Sequence, residues 1–211
     1  MEYILRRNGR LYTRDLMTGR SVYGEKIEEF PEGIYREWIP WRSKMGALLK
    51  MEENVDIPRG NVLYLGAAQG TTVSHLSDIN PEGVFYAVEF SKTPFDKLVA
   101  ISRDRGNIIP ILEDAGHPER YQAMVPPLDW IYQDISQKDQ AGIFIKNSAM
   151  LKRGGGGIIM VKARSVDMTS EPTQIFKQTE ERLSDSGLEI KARYDLSPFQ
   201  KDHAAVIVKK R

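Results

Sequence analysis

The chain has no cysteine, which excludes disulfides and zinc–thiolate sites and permits a reducing compartment. It also lacks any apolar run of about 18 residues, and its opening MEYILRRNGR has no signal-peptide core. A soluble, cytoplasmic protein with no membrane association is therefore expected. Charge of one sign is scarce too. With 30 Lys and Arg against 29 Asp and Glu, the net charge of +1 argues against holding RNA by bulk electrostatics, so a nucleic-acid role would need local patches or partners. Repeats and low-complexity tracts are missing apart from the glycine run Gly154 to Gly157. What is present, 211 residues of which 41% are hydrophobic, suffices for one domain with a real core and a modest extension.

Residues 1–53 alternate short β-prone runs (YILRR, RLYTRD, SVYGEKI) with turns at Asn8-Gly9 and Thr18-Gly19, and Asn-Gly is a strong hairpin signal. This predicts a small antiparallel β domain. It is closed by IYREWIPWRSKMGALLKM, where Pro40 ends one element and Ser43 caps a short helix. Pro58, Arg59 and Gly60 mark a boundary, and 54–211 is read as the second domain. There strands are expected at 62–66, 84–89, 107–112, 128–133, 157–162, 188–194 and 203–209, with helices near 71–79, 94–105, 117–124, 137–152 and 172–186. Such alternation predicts an α/β parallel sheet wrapped by helices. The link from Leu196 to Asp202 is too short for a parallel crossover, so the last strand should be antiparallel. The plan is that of a Rossmann-like class I methyltransferase.

The run VLYLGAAQGTT, Val62 to Thr72, carries the chemistry: an apolar strand breaks into a small-residue turn and resumes as a helix with free N–H groups. Glu89, at the end of the next strand, can accept both hydroxyls of a ribose. Gly66 and Gly70 are separated by Ala67, Ala68 and Gln69, so the turn lacks the G-x-G-x-x-G phosphate signature. This favours an adenosine cofactor without phosphate, S-adenosylmethionine, over a dinucleotide. In parallel sheets ligands bind beyond the carboxyl ends of the strands. The polar residues expected there are Gly66, Glu89, Asp114, Asp134 and Lys162, with Asp114 and the Ala115 backbone at an adenine and Asp134 near the methionine portion.

Each residue also has a plainer reading. Gly66 and Gly70 could serve strand–helix packing, Glu89 and Asp114 could be helix N-caps, Lys162 could snorkel to solvent, and His203 could be a structural histidine. Trp38 and Trp41 read as core or domain-interface aromatics. The convergence of several strand ends on one edge favours the site.

The segments YLGAAQGTTVSH, VFYAVEFS, IPILEDAGHP, YQDISQKDQA, IIMVKARSVD and FQKDHAAVIV, with YREWIPWRSKMGA upstream, resemble the fibrillarin family in its archaeal form over essentially the whole chain. The resemblance implies an S-adenosylmethionine-dependent RNA 2′-O-methyltransferase acting on rRNA and tRNA, with no metal. It further implies work in a box C/D particle, with a guide RNA, a Nop-domain scaffold protein and a kink-turn-binding, ribosomal-protein-like subunit. By the same resemblance, cofactor contacts fall on Gly66, Ala68, Gly70, Thr71, Thr72, Glu89, Phe90, Asp114, Ala115, Asp134, Ile135, Ser136 and Gln137, and a catalytic set on Lys44, Asp134, Lys162 and His203. Gln69, Gly116 and Ser136 depart from the family pattern.

Transfer of a sulfonium methyl to a ribose hydroxyl needs a base. Lys162 is the candidate if burial, the sulfonium and Lys44 keep it neutral against the opposing pull of Asp134. Asp134 is expected to orient Lys162, with Lys44 and His203 fixing the ribose, while Arg42, Lys44, Lys162 and Arg164 could meet flanking phosphates. The alternative function is a stand-alone methyltransferase for a protein side chain or small molecule, and a noncatalytic assembly subunit is a third reading.

Overall fold

The alternating N-terminal runs pair as expected. In the computed structural model, which describes residues 3–15 and 19–211, β1 (Ile4–Arg7) and β2 (Arg10–Arg14) form a hairpin whose two loop residues, Asn8 and Gly9, both have positive φ, the geometry that a two-residue turn requires. With β3 (Ile27–Phe30) and β4 (Gly33–Glu37) they make an antiparallel sheet in the order β1-β2-β4-β3. The Thr18-Gly19 turn lies at the edge of the described residues, Thr18 falling outside them. SVYGEKI is mostly not a strand. The Glu25 carboxylate accepts from Val22 N, Tyr23 N and Ser21 Oγ and winds this stretch into a turn, so extended structure starts only at Ile27.

Pro40 opens an element rather than ending one: β4 has already stopped, and the proline begins the 3₁₀ turn Pro40–Arg42, where its missing N–H costs nothing. Ser43 then caps α1 (Lys44–Met51), its hydroxyl accepting from Gly46 N at 3.2 Å.

The second sheet contains β5 (Asn61–Leu65), β6 (Val84–Glu89), β7 (Ile108–Leu112), β8 (Leu128–Gln133), β9 (Leu151–Lys162), β10 (Leu188–Asp195) and β11 (His203–Lys210), in the order β10-β11-β9-β8-β5-β6-β7. The central pairs are parallel, and β11 runs antiparallel to both β9 and β10, as the short final link requires. The helices are α2 (Thr71–Ile79), α3 (Lys92–Asp104), α4 (Gln140–Asn147), α5 (Ala163–Val166) and α6 (Pro172–Asp185). No described helix is long and apolar enough to cross a membrane.

Two helix expectations need correction. Residues 117–124 form two 3₁₀ turns, Pro118–Arg120 and Gln122–Met124, closed by bonds from Tyr121 N to Pro118 O and from Met124 N to Tyr121 O. The helix expected over 137–152 is only α4 plus a 3₁₀ turn, Ser148–Met150, and by Leu151 the chain is already strand. The glycine run therefore lies inside β9. A Cβ on Gly156 would come within 2.7 Å of the Trp130 ring, and one on Gly157 within 2.6 Å of Phe144, so large neighbours fill the space that side chains would take.

Period-two alternation on β5 sends Val62 and Tyr64 to one face and Leu63 and Leu65 to the other, each into a different buried cluster. Leu11 and Trp38 from the N-terminal region share the Val62 cluster with Met45, Leu48 and Leu49 of α1, so the two sheets are joined by continuous core. A buried ionic network reinforces the joint. Arg36 of β4 is fully buried, donates to Glu25 Oε1 at 2.8 Å and to Asp78 Oδ2 at 2.5 Å, and reaches Ser74 Oγ at 2.9 Å. Burial opposes its charge, but the Asp78 and Glu25 carboxylates outweigh that effect and hold the guanidinium protonated. Arg36→Ala would leave Asp78 and Glu25 short of their buried cation and should destabilise the protein by about 3–5 kcal/mol in urea unfolding, with a loss under about 1 kcal/mol refuting the role.

Candidate active site

The carboxyl ends of β5, β6, β7 and β8 surround a cavity of about 330 Å³, within the size range of small-ligand pockets. Its floor begins where β5 ends. Gly66 sits at φ +81°, and Gly66 N and Ala67 N both donate to Val88 O at 3.0 Å. A Cβ at Gly66 would lie 2.2 Å from the Asp134 carbonyl oxygen, so only glycine lets β5 and β8 come this close. Gly70, at φ +93°, caps α2.

Of the residues expected at a cofactor, Gly66, Ala68, Glu89, Phe90, Asp114, Ala115, Asp134, Ile135, Ser136 and Gln137 line this cavity. Gly70, Thr71 and Thr72 do not. They form the cap and first turn of α2, and Thr72 Oγ1 is 2.9 Å from Ser43 Oγ, tying α2 to the start of α1. Val88 and Glu113 also line the cavity and were missed, although they adjoin Glu89 and Asp114. Gln69 points away, its amide oxygen 3.5 Å from Lys97 Nζ on α3.

The two carboxylates are not helix caps. Glu89, nearly buried, accepts from Ala68 N at 2.9 Å and Ser91 N at 2.8 Å, and Ser91 rather than Glu89 occupies the N-cap of α3. It thus fixes the turn with one bond per oxygen and keeps spare lone pairs for a ligand. Asp114 Oδ1 accepts from Gln137 Nε2 at 3.0 Å and Gly116 N at 2.8 Å, bonds that hold its carboxyl below the usual range. Gln137 Oε1, on the same amide, is buried without a hydrogen-bond partner.

A second group of polar residues adjoins this cavity through Asp134. Lys44, the first residue of α1, reaches Asp134 with Nζ 2.7 Å from Oδ1 and 3.0 Å from Oδ2. This corrects the expected pairing: Asp134 orients Lys44, not Lys162, because Ser43 starts α1 where Lys44 meets the end of β8. Lys162 closes β9 and is clasped at its backbone by Gln140, which accepts from Lys162 N at 3.0 Å and donates to Lys162 O at 3.2 Å. Among the described residues its Nζ makes no hydrogen bond or ion pair. Nothing in the sequence singled out Gln140 or the Ser43–Thr72 link, since both act across the fold.

His203 begins β11 directly opposite Lys162, which places both side chains on one face of the sheet. Its Nδ1 is 2.6 Å from the Lys201 carbonyl, so Nδ1 carries the proton and Nε2 is left as an acceptor. Burial, with the Lys44 and Lys162 charges, lowers its pKa against the opposing influence of Lys201 O and Asp134. The site therefore combines an imidazole biased toward its neutral form, a lysine whose Nζ has no partner among the described residues, and an oriented Lys–Asp pair. Arg164, expected at phosphates, is instead held by Asp202 at 3.1 Å and by the carbonyls of Met168 and Ser170. Gly66→Ala should cost about 1–3 kcal/mol in thermal unfolding, whereas Gly106→Ala, whose Cβ would meet nothing within 4 Å, should be nearly neutral; equal effects would undo the argument from close approach.

Comparison with known proteins bears on this geometry. The fibrillarin family model matches residues 2–211. The fibrillarin-like rRNA/tRNA 2′-O-methyltransferase of Pyrococcus furiosus is 47% identical over 205 residues, spanning 95% of this chain and 90% of that protein. The crystal structure of Aeropyrum pernix fibrillarin with natively bound S-adenosyl-L-methionine superposes with a TM-score of 0.87 at 42% identity, covering 97% of this chain and 92% of that one. A fibrillarin in complex with Nop5p gives 0.90 at 42% identity, covering 100% and 98%. A match sustained from residue 2 to the final residue, in sequence and in fold, means that the chain belongs to the fibrillarin family.

Proposed function

We infer that this protein methylates ribose 2′-hydroxyls of rRNA and tRNA with S-adenosylmethionine, as the catalytic subunit of a box C/D guide-RNA particle. The observation that carries the reading is the junction at Asp134, where the nucleoside-sized cavity meets the group formed with Lys44, Lys162 and His203. The cavity suits the cofactor. Gln137 Oε1 is an unsatisfied buried acceptor, Glu89 has spare lone pairs for ribose hydroxyls, Phe90 stands 71% exposed at the wall, and the Asp114 carboxylate can accept from an adenine amino group. Gly66, Ala68, Ala115, Ile135 and Ser136 complete the wall, and Gly70, Thr71 and Thr72 support it from α2. Bound there, S-adenosylmethionine supplies an electrophilic methyl group on a positively charged sulfur.

The chain's own residues prepare the hydroxyl. A ribose oxygen attacks well only if its proton leaves as the new C–O bond forms. His203, its pKa lowered and its Nδ1 donating to Lys201 O, presents Nε2 as an acceptor for that proton, and this reading gives it the base role that the sequence suggested for Lys162. Lys162 then stabilises the developing oxyanion as an unpaired cation. Asp134 holds Lys44 in place and sets a carboxylate beside the cavity, where positive charge on a cofactor is favoured. Positioning contributes up to about 7–11 kcal/mol in favourable cases.

Residues 1–53 act as the domain that supports α2 and delivers Lys44's helix, and 54–211 as the methyltransferase domain, in a cytoplasmic protein. A Nop-domain scaffold carries the chain, as Nop5p accompanies the related fibrillarin. A kink-turn-binding subunit anchors the guide RNA. Base pairing supplies the selectivity that a chain of net charge +1 does not gain from bulk attraction to phosphate.

Transfer of labelled methyl to a guide-paired RNA tests the reading: label should enter only a target with an intact 2′-hydroxyl and only in the assembled particle. Label in a protein or small molecule without RNA would favour a stand-alone methyltransferase instead. Lys162→Ala should lower turnover about 10²-fold or more with cofactor affinity kept, and Glu89→Ala should weaken cofactor binding first, as read by calorimetry. Because the His203 pKa is lowered, its neutral form persists into mild acid. The acid limb of the pH–rate profile should fall below pH 6.5, the unperturbed value, and be lost in His203→Ala. A single limb rising through pH 9–10 would return the base role to Lys162.

A further inference from the structure

Strand β9 outlasts its parallel neighbour. The last β8 residue in register with it is Gln133, opposite Ile159, and the chain then turns away, Asp134 N donating to Leu65 O of β5. Met160, Val161 and Lys162 therefore run on without β8 beside them. On the other edge β11 continues, with His203 opposite Lys162. Into the gap left by β8 comes the side chain of Gln140, the first residue of α4 and only 1% exposed. Its Oε1 accepts from Lys162 N at 3.0 Å and its Nε2 donates to Lys162 O at 3.2 Å, the pair of bonds that a facing strand residue would exchange. A carboxamide offers acceptor and donor side by side, so it can stand in for a peptide group. Gln140 is itself held, because Gln133 Nε2 donates to its carbonyl at 2.8 Å. Since Gln133 directly precedes Asp134, this buried chain of amides ties the strand end that carries Asp134 to the one that carries Lys162.

The direction of the Lys162 side chain depends on that residue remaining strand. Ile158 and Met160 enter the cluster that holds Met45 and Leu48 of α1, and period two puts Lys162 on the same face. A slip of one residue would turn it to the other face. We propose that Gln140 is a positioning residue for the methyl transfer: by completing the ladder at the last residue of β9, it fixes where the Lys162 side chain stands relative to Asp134 and the cofactor cavity. This rests on the RNA methyltransferase reading above. Gln140 does not line the cavity and acts through the backbone of Lys162. A displacement of about 1 Å at a reacting group can cost roughly 10²-fold in rate, so its loss should be felt in turnover rather than in binding.

The test is the single-turnover rate of methyl transfer in the assembled particle for the native chain, Gln140→Met and Gln140→Glu, each variant also made together with Lys162→Ala. The two replacements keep the length of the side chain; the first makes neither bond, and the second, ionised, can only accept from Lys162 N. Both should lower the rate about tenfold or more, with the half-saturating RNA concentration and the calorimetric cofactor affinity near native. Combined with Lys162→Ala, neither should lower the rate further, because no side chain is left to position. The thermal midpoint should still drop there, since the backbone bonds are lost in both backgrounds. The same fold-loss of rate in the two backgrounds would make Gln140 a structural support and overturn the proposal, as would native rates in both single variants. If Gln140→Met fails to join the particle, Gln140→Glu decides by the same comparisons. No transfer by the native particle would remove the methyltransferase reading, and the positioning role with it.

Discussion

The fully buried guanidinium of Arg36 is the constraint on which the rest of the structure depends. Helix α2 is buried along nearly its whole length, yet it carries Ser74, His75 and Asp78, whose polar groups need partners inside the protein. The N-terminal region provides them. Arg36 joins Asp78 and Ser74 to Glu25, while His75 lies between Thr13 Oγ1 at 2.7 Å and Tyr23 OH at 2.9 Å and stacks on Trp38 at 4.7 Å. Burial, with the charges of Arg36 and Arg105, lowers the His75 pKa well below its usual value, so the imidazole stays neutral, one ring nitrogen donating to a hydroxyl and the other accepting from one. Arg105 reaches Asp78 from the end of α3 at 3.3 Å.

Because α2 starts at the turn that floors the cavity, anchoring it anchors the site. The same packing sets α1: Trp38 lies so close to Gly46 that a Cβ there would fall 2.8 Å from its ring. Ser43 caps α1 and touches Thr72 of α2 with the same hydroxyl, so the beginnings of the two helices are joined. Lys44 leaves α1 directly from that junction and crosses to Asp134. A region that resembles an accessory sheet thus positions the lysine that meets Asp134 beside the cavity.

Much of the frame was legible in the chain because its signals are local. Asn8-Gly9 needed only its turn chemistry, Ser43 only its place before a helix, and the antiparallel last strand only a link too short to cross over. Glu89, Asp114, Asp134 and Lys162 could be placed at or just beyond strand ends because apolar runs stop at or near them. Where the reading failed, contacts between distant segments had overruled local preference. The glycine run became strand because Trp130 and Phe144 occupy the space beside it, and the Ser21–Glu25 stretch became a turn because Glu25 gathers its backbone N–H groups.

The sequence by itself determined the α/β order, the small turn at Gly66 to Gly70 and the set of charged groups available to a site, since each is written in neighbouring residues or in a repeating pattern. Only the tertiary structure decided which charges meet. Asp134 takes Lys44 from 90 positions away rather than Lys162, His203 faces Lys162 through strand register, and of two neighbouring tryptophans one is sealed in the core and the other left exposed. Pairing across such separations depends on strand order and helix packing. Those follow from burying every apolar face at once, which no local stretch of sequence encodes.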